Sequence, residues 1–351
     1  MYFKITNTNE NHHGFQYVDG LNVLKEEFNN DPNKSCCAGG LYFTDAASIF
    51  IFLDYGIYLR EITLPTDNPE FRIVKDNNKW RANMIILGKR YELSNVDTFK
   101  YLVECGADIH VRNDFALCFS AEKGYFDVVK YLIENGANVH AKDDSALHNS
   151  AKNGHLNVVK YLIEKGANVR ADNDCALRLS AKNGHLGVVK YLIENCADVH
   201  ADNNYALRWS AYYGHLSVVK YLIEKGANVH AQNDCALGWS ALGWSAEKGH
   251  LNVVTFLIEK GANIHADNDY ALRSSARFGY LDVVKFLVEN CANVHVENDY
   301  ALRYSARYGY LDVVKYLVEK GANVHAKNDN ALRKSAKYGH SDVYEFLKSK
   351  C

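Results

Sequence analysis

Proline is almost missing from this chain: there are three in 351 residues, two of them at Pro65 and Pro69. Long stretches are therefore free of the residue that breaks helices. No run could cross a bilayer. The most apolar window, residues 46–59 (AASIFIFLDYGIYL), is interrupted by Asp54 and falls short of the about 20 residues a span needs. The opening stretch MYFKITNTNENHH lacks the charged-then-apolar pattern of a secretory signal. Charge excess is small, at −2, so neither a polyanion nor an anionic membrane is demanded as partner. Nine cysteines, an odd number without metal-ligand spacing, fit a reducing compartment. Also missing are a nucleophile elbow, a phosphate-cradling glycine loop and a Cys–His pairing outside the repeats. No catalysis, cofactor, metal or small-molecule substrate is expected, and the protein reads as soluble and intracellular.

What the chain has is tyrosine, 24 of them, and a period. GAN or GAD recurs at Gly106, Gly136, Gly166, Gly226, Gly261 and Gly321, with cysteine in the glycine slot at Cys196 and Cys291. The block V-V-K-[YF]-L-[IV]-E recurs from Val128, Val158, Val188, Val218, Val283 and Val313, with VVTFLIE from Val253. The spacing is 30 residues, except for 35 where ALGWS is doubled head to tail at 236–245. In one repeat, NYALRWSAYYGHLSVVKYLIEKGANVHAQN from Asn204, the residues Ala206, Leu207, Ser210 and Ala211 share one helical face. Gly214 ends that helix. A second helix carries Val218, Val219, Leu222 and Ile223 and ends at Gly226. The residue before each first helix (Asp114, Asp144, Asp174, Asn204, Asp234, Asp269, Asp299, Asp329) reads as an N-cap. Helices of about nine residues are marginal alone, so stacking must supply the stability.

Residues 145–169, SALHNSAKNGHLNVVKYLIEKGANV, resemble the ankyrin repeat pattern T-P-L-H-x-A-A-x-x-G-H-x-x-V-V-x-x-L-L-x-x-G-A. The likeness extends over residues 94–351: a lone second helix at 95–105, then eight repeats or part-repeats beginning at the residues just named. It implies a mostly α solenoid of helix-turn-helix repeats. The family repeat is 33 residues and this one is 30. The loss falls in the loop before the first helix, where the family has its finger hairpin, so stunted fingers are expected. Pro-Leu-His has become Ala-Leu-Arg in five repeats (Arg178, Arg208, Arg273, Arg303, Arg333).

Residues 1–93 have a different texture. YFKIT, GFQYVDG, GLYFT, IYLREITL, FRIV and Met84–Leu87 read as short strands, and residues 46–53 as one helix. A small α+β domain is expected, similar to a domain of unknown function in phage proteins and to leaders of ankyrin proteins from large DNA viruses. His12, His13, Cys36 and Cys37 invite a zinc reading, but neighbouring side chains on an extended segment point apart. Buried thiols near a Gly39–Gly40 turn fit better.

The histidines at 110, 140, 200, 230, 265, 295 and 325 form a ladder. Stacked helices lie about 8–10 Å apart, too far to share one metal, so loop hydrogen bonding is the expected role. The G-H histidines (155, 185, 215, 250, 340) match the family's turn-capping histidine.

The resemblance also points to a concave surface lined by first helices and binding a protein partner. Its candidate contacts are Arg208, Tyr212, Tyr213, Trp239, Arg273, Arg277, Phe278, Arg303, Arg307, Tyr308, Lys337 and Tyr338, a mixture of Arg and aromatic residues typical of binding hot spots. An acidic protein segment, of a host protein if the chain is viral, is the expected partner, with host cytoplasm or virion as the location. Nucleic acid is the alternative, opposed by the net charge and by finger-side acids such as Asp172, Asp202 and Asp267. The sequence runs to Cys351 within a repeat, so recruitment of a ubiquitin ligase through an F-box-like tail is not expected. In the doubled ALGWS, the second copy is expected to hold the first-helix register, with Trp244 in the slot of Trp209 and Trp239 displaced and more exposed.

Overall fold

The computed structural model describes all residues except 13, 32–37 and 232–239. Trp239, His13, Cys36 and Cys37, and the first copy of ALGWS up to its final serine, lie outside the described residues. The chain divides into two compact units, Met1–Asn168 and Val169–Cys351. The change from strands to helices falls within the first unit, between Glu92 and Val96.

The first unit begins with nine strands: β1 (Tyr2–Thr6), β2 (Asn11–His12), β3 (Phe15–Gln16), β4 (Gly20–Val23), β5 (Leu41–Asp45), β6 (Tyr58–Thr63), β7 (Ile73–Asp76), β8 (Lys79–Ala82) and β9 (Met84–Glu92). Seven of them form one antiparallel sheet in the order β4-β9-β6-β1-β5-β8-β7, and β2 pairs with β3 alone. The helix expected at 46–53 is a 3₁₀ segment, Ala46–Tyr55, capped by Asp45, whose carboxylate accepts from Ser48 N–H at 3.0 Å. Alternation along the strands divides the core between two faces. Tyr17, Leu41, Phe43, Ile62, Ile85 and Leu87 form one cluster. On the other side Phe50 stacks on Phe99 of the first helix, Val96–Glu104, at 5.4 Å, and Phe3 meets Tyr101 edge to face. Tyr101 donates to Glu61 at 2.7 Å, and Arg112 donates to the Ile51 carbonyl at 3.1 Å. The sheet region and the first repeats are one packed body.

The remainder is pairs of helices. Val128, Val129 and Leu132, and their counterparts in the second helices as far as Leu311–Glu319, are fully buried, as the apolar stripe requires; in the last, Ser341–Lys348, Val343 and Leu347 are buried and Tyr344 is half-buried. Gly214, at φ +76°, ends a first helix, and a Cβ there would come within 2.7 Å of the His250 ring. The second helices end at glycines of φ +88° to +98°, and at Cys196 (φ +69°) and Cys291 (φ +76°).

No strand occurs among the described residues beyond Glu92, so the fingers are absent rather than shortened. In their place stand three successive left-handed residues: Asp202, Asn203 and Asn204 have φ of +50°, +51° and +58°, and the same triplet recurs at 112–114, 142–144, 172–174, 267–269, 297–299 and 327–329. Asn and Asp tolerate this region better than other residues with a Cβ, and they fill most of these positions. The expected N-caps are thereby corrected. Asp299 and its equivalents are the third residue of the left-handed turn, and several of their side chains reach the loop that follows the second helix of the same repeat. Asp299 Oδ1 accepts from Asn323 N–H at 2.8 Å, and Asp174, Asn204 and Asp269 do the same to the residue 24 positions on. A side-chain N-cap does form at Ser240, which accepts from Gly243 N–H and opens the helix Ala241–Glu247.

Candidate interaction surface

Most of these acceptors have a histidine four residues before them, and Asp174 has Arg170 at 3.6 Å in its place. His295 Nδ1 lies 3.1 Å from Asp299 Oδ1, and His110, His140, His265 and His325 repeat the pairing. These members of the histidine ladder are loop hydrogen-bonding groups. Cys351 comes within 4.8 Å of His325 and Asp329, but the His–Asp contact there is the same pair found at 110/114, 140/144, 265/269 and 295/299. The G-H histidines cap turns across repeats: His215 Nε2 is 3.0 Å from the Lys182 carbonyl, and His250 and His340 reach Tyr212 and Arg307 likewise.

The Ala-Leu-Arg arginines turn inward onto the left-handed triplet. Arg303 Nε donates to the Asn298 carbonyl at 2.8 Å and Nη2 to the Glu297 carbonyl at 2.9 Å. Arg178, Arg208, Arg273 and Arg333 make the same two bonds five and six residues back. A guanidinium fork suits two adjacent carbonyls, which the missing hairpin leaves without strand partners. Arg208 and Arg303 are only 6% and 8% exposed, and Arg273 is half-buried. Three of the candidate contacts are thus engaged in holding their own repeats, a role that spacing in the sequence did not reveal. Three of these Arg side chains also lie over an aromatic ring of the following repeat: Arg178 over Tyr205 at 5.2 Å, Arg208 over Trp244 at 5.5 Å and Arg273 over Tyr300 at 5.4 Å.

Five residues later along the same helices the side chains face solvent. Tyr213, Phe278, Tyr308 and Tyr338 occupy the same slot ahead of their turn glycines and are 44%, 41%, 39% and 44% exposed. Arg277 and Lys337 beside them are exposed, and Arg307 and Tyr212 half-buried. Cations and rings interleave. Arg307 lies over Tyr304, Tyr308 and Tyr338 at 5.1–5.7 Å, Arg277 over Phe278 at 5.5 Å, Lys182 over Trp209 at 4.5 Å. The rings stack along single helices, as Tyr300 on Tyr304 at 4.0 Å and Tyr205 on Trp209 at 5.4 Å. Arg307 Nε is buried and has no acceptor among the described residues. Trp244 packs against Trp209 at 5.0 Å. Ser245 donates to the carbonyl three residues back, as Ser210 does. The second ALGWS copy therefore holds the first-helix register.

The family model for ankyrin repeats, in its three-copy form, matches residues 91–173, 117–203, 170–233, 230–298 and 272–351. This chain belongs to the ankyrin repeat family. Among its relatives are two proteins of Acanthamoeba polyphaga mimivirus. Uncharacterized protein R869 is 52% identical over 128 residues, which span 36% of this chain and 93% of that protein. Putative ankyrin repeat protein R868 is 47% identical over 129 residues, 36% of this chain and 63% of its own length. The crystal structure of the human ASB11 ankyrin repeat domain is similar with a TM-score of 0.52 and 26% identity, covering 57% of this chain and 96% of that domain. Ankyrin repeats are in general protein–protein interaction modules. Among the described residues no helix is long and apolar enough to cross a membrane.

Proposed function

We propose that this ankyrin repeat protein is a non-catalytic binding module that captures an acidic segment of a protein partner on the exposed rows of the Val169–Cys351 unit. The observation that carries the reading is the alignment of Tyr213, Phe278, Tyr308 and Tyr338 in one repeated slot, with Arg277, Arg307 and Lys337 between them. Exposed aromatics in a row are uncommon on a surface that meets only water. Tyr and Arg supply rigid contact area and charge-assisted hydrogen bonds. Arg208, Arg273 and Arg303 support this surface from below rather than touching the partner. The mimivirus relatives make a protein of the infected host a natural source of the partner.

The test replaces Tyr308 with the photo-cross-linker benzoylphenylalanine in cells that contain the partner, and repeats the experiment with Arg277→Glu and Arg307→Glu. A single protein should cross-link, and the reversals should abolish it while the melting curve stays unchanged. Cross-linking that survives both reversals would refute the reading. Cross-linking to RNA in place of protein would support nucleic-acid binding by the same face.

A further inference from the structure

β1 and β5 pair only at Tyr2↔Asp45 and Phe3↔Thr44, while β1 stays paired with β6 as far as Thr6. Past Thr44 the two strands part, and a cavity of about 70 Å³ lies between them. Phe43, Phe52 and Tyr55 contribute aromatic walls, and Lys4, Lys79 and His12 contribute basic groups. No acidic residue is among the described residues lining it. Lys79 stands 3.8 Å from the buried carboxylate of Asp76. Arg60, the cross-strand neighbour of Lys4, is paired with Glu10 and Asp19.

Among the described residues Lys4 has no such compensation. It is 4% exposed. Its ammonium donates to the Tyr42 carbonyl at 2.8 Å and lies 4.5 Å from the centre of the Tyr17 ring. A neutral carbonyl and a ring face offset only part of the cost of burying a charge. Burial accordingly pulls the Lys4 amine down to about 7.

We propose that this cavity binds a small monocarboxylate, whose oxygens serve as counter-ion to Lys4 and whose short hydrocarbon end lies against Phe43, Phe52 and Tyr55. Size and charge select the class. A cavity of about 150 Å³ holds benzene, so half that space suits an acid of a few carbons. Phosphate would bring a second charge with no cation to meet it, since Lys79 and Arg60 already have acids beside them. A neutral ligand would leave Lys4 as it is. The carboxylate binds the protonated amine and draws a proton onto it. Affinity is therefore full between the carboxylate's own titration range and pH 7, and falls about tenfold per unit above pH 7. Of the other titratable groups around Lys4, burial pushes the Tyr17 hydroxyl upward, away from neutral pH, and His12, Tyr42, Lys79 and Arg60 complete the set.

Propionate is the probe, added to the full-length chain carrying ¹³C-labelled lysine. One lysine εCH₂ signal should titrate near pH 7, vanish in Lys4→Met, and move saturably towards its protonated position with propionate. Propionamide should not move it. Phe52→Trp, which fills the cavity and leaves Lys4 in place, should keep the signal and weaken propionate binding at least tenfold. That variant keeps the test decisive if Lys4→Met fails to fold. A Lys4 signal indifferent to propionate, or equally responsive to propionamide, would overturn the proposal. So would affinity that does not fall between pH 7 and pH 9.

Discussion

Two arginines four residues apart on one helix have opposite fates. Arg303 folds back onto the carbonyls of Glu297 and Asn298, while Arg307 lies among rings at the surface. Charge and helical spacing read both as members of a basic face, because neither tells that two carbonyls wait within reach of the first. Cysteine offers a simpler case at this scale. Cys196 and Cys291 sit at φ +69° and +76°, in slots where glycine elsewhere has open space around a would-be Cβ. The cost there is one of backbone conformation alone. Cys196→Gly and Cys291→Gly should each stabilise the fold, by about 0.5–1 kcal/mol after the extra freedom of the unfolded chain is set against the relieved strain. Urea midpoints measure this, and a lowered midpoint would mean the sulfur contributes packing that outweighs the strain.

At the scale of elements, the left-handed turn replaces the hairpin of the longer family repeat. Three such residues in succession are unfavourable by themselves. In five repeats the Arg fork holds two of their carbonyls, and in several the third residue's side chain fastens the loop that closes the repeat. Asp299→Ala leaves the Asn323 amide and His295 without their acceptor and should cost about 1–3 kcal/mol. Asp299→Asn should cost less than the alanine change, because Asn204 already performs the task, accepting from Asn228 at 2.7 Å. Thermal or urea unfolding of both variants checks the ordering, and equal losses would show that the side-chain acceptor is not what matters. The sequence showed that a polar residue precedes each first helix, and an N-cap was the natural inference. The sign of φ separates the two roles, and no local pattern displays it.

In the molecule as a whole, the strand region of the first unit covers the end of the repeat array. Phe99 and Leu102 are fully buried, with Phe50 stacked on the former. A chain truncated to residues 94–351 should keep its helical circular dichroism, since contacts in a repeat array are between neighbours. It should bind more anilinonaphthalene sulfonate than the full chain, because Phe99 and Leu102 become exposed. Loss of the helical signal would mean the sheet is required for the repeats to fold. The two ALGWS copies also become distinct at this scale: Trp244 is placed by its contact with Trp209, while Trp239 lies outside the described residues.

The sequence alone determined the repeat, its 30-residue period, the two helices in each repeat, their buried Val-Val-Leu stripe and the glycines that end them. These are local, periodic signals, and repetition multiplies them until chance is excluded. It also marked the aromatic and basic slots near the turn. Tertiary structure alone decided which arginines face solvent, what the Asp and Asn side chains hold, the strand order β4-β9-β6-β1-β5-β8-β7, and the parting of β1 from β5 that places Lys4 beside a cavity. Each depends on a partner distant in the chain or on a backbone angle that residue type permits but does not dictate. Strand pairing and guanidinium contacts are chosen by what the rest of the fold leaves unsatisfied.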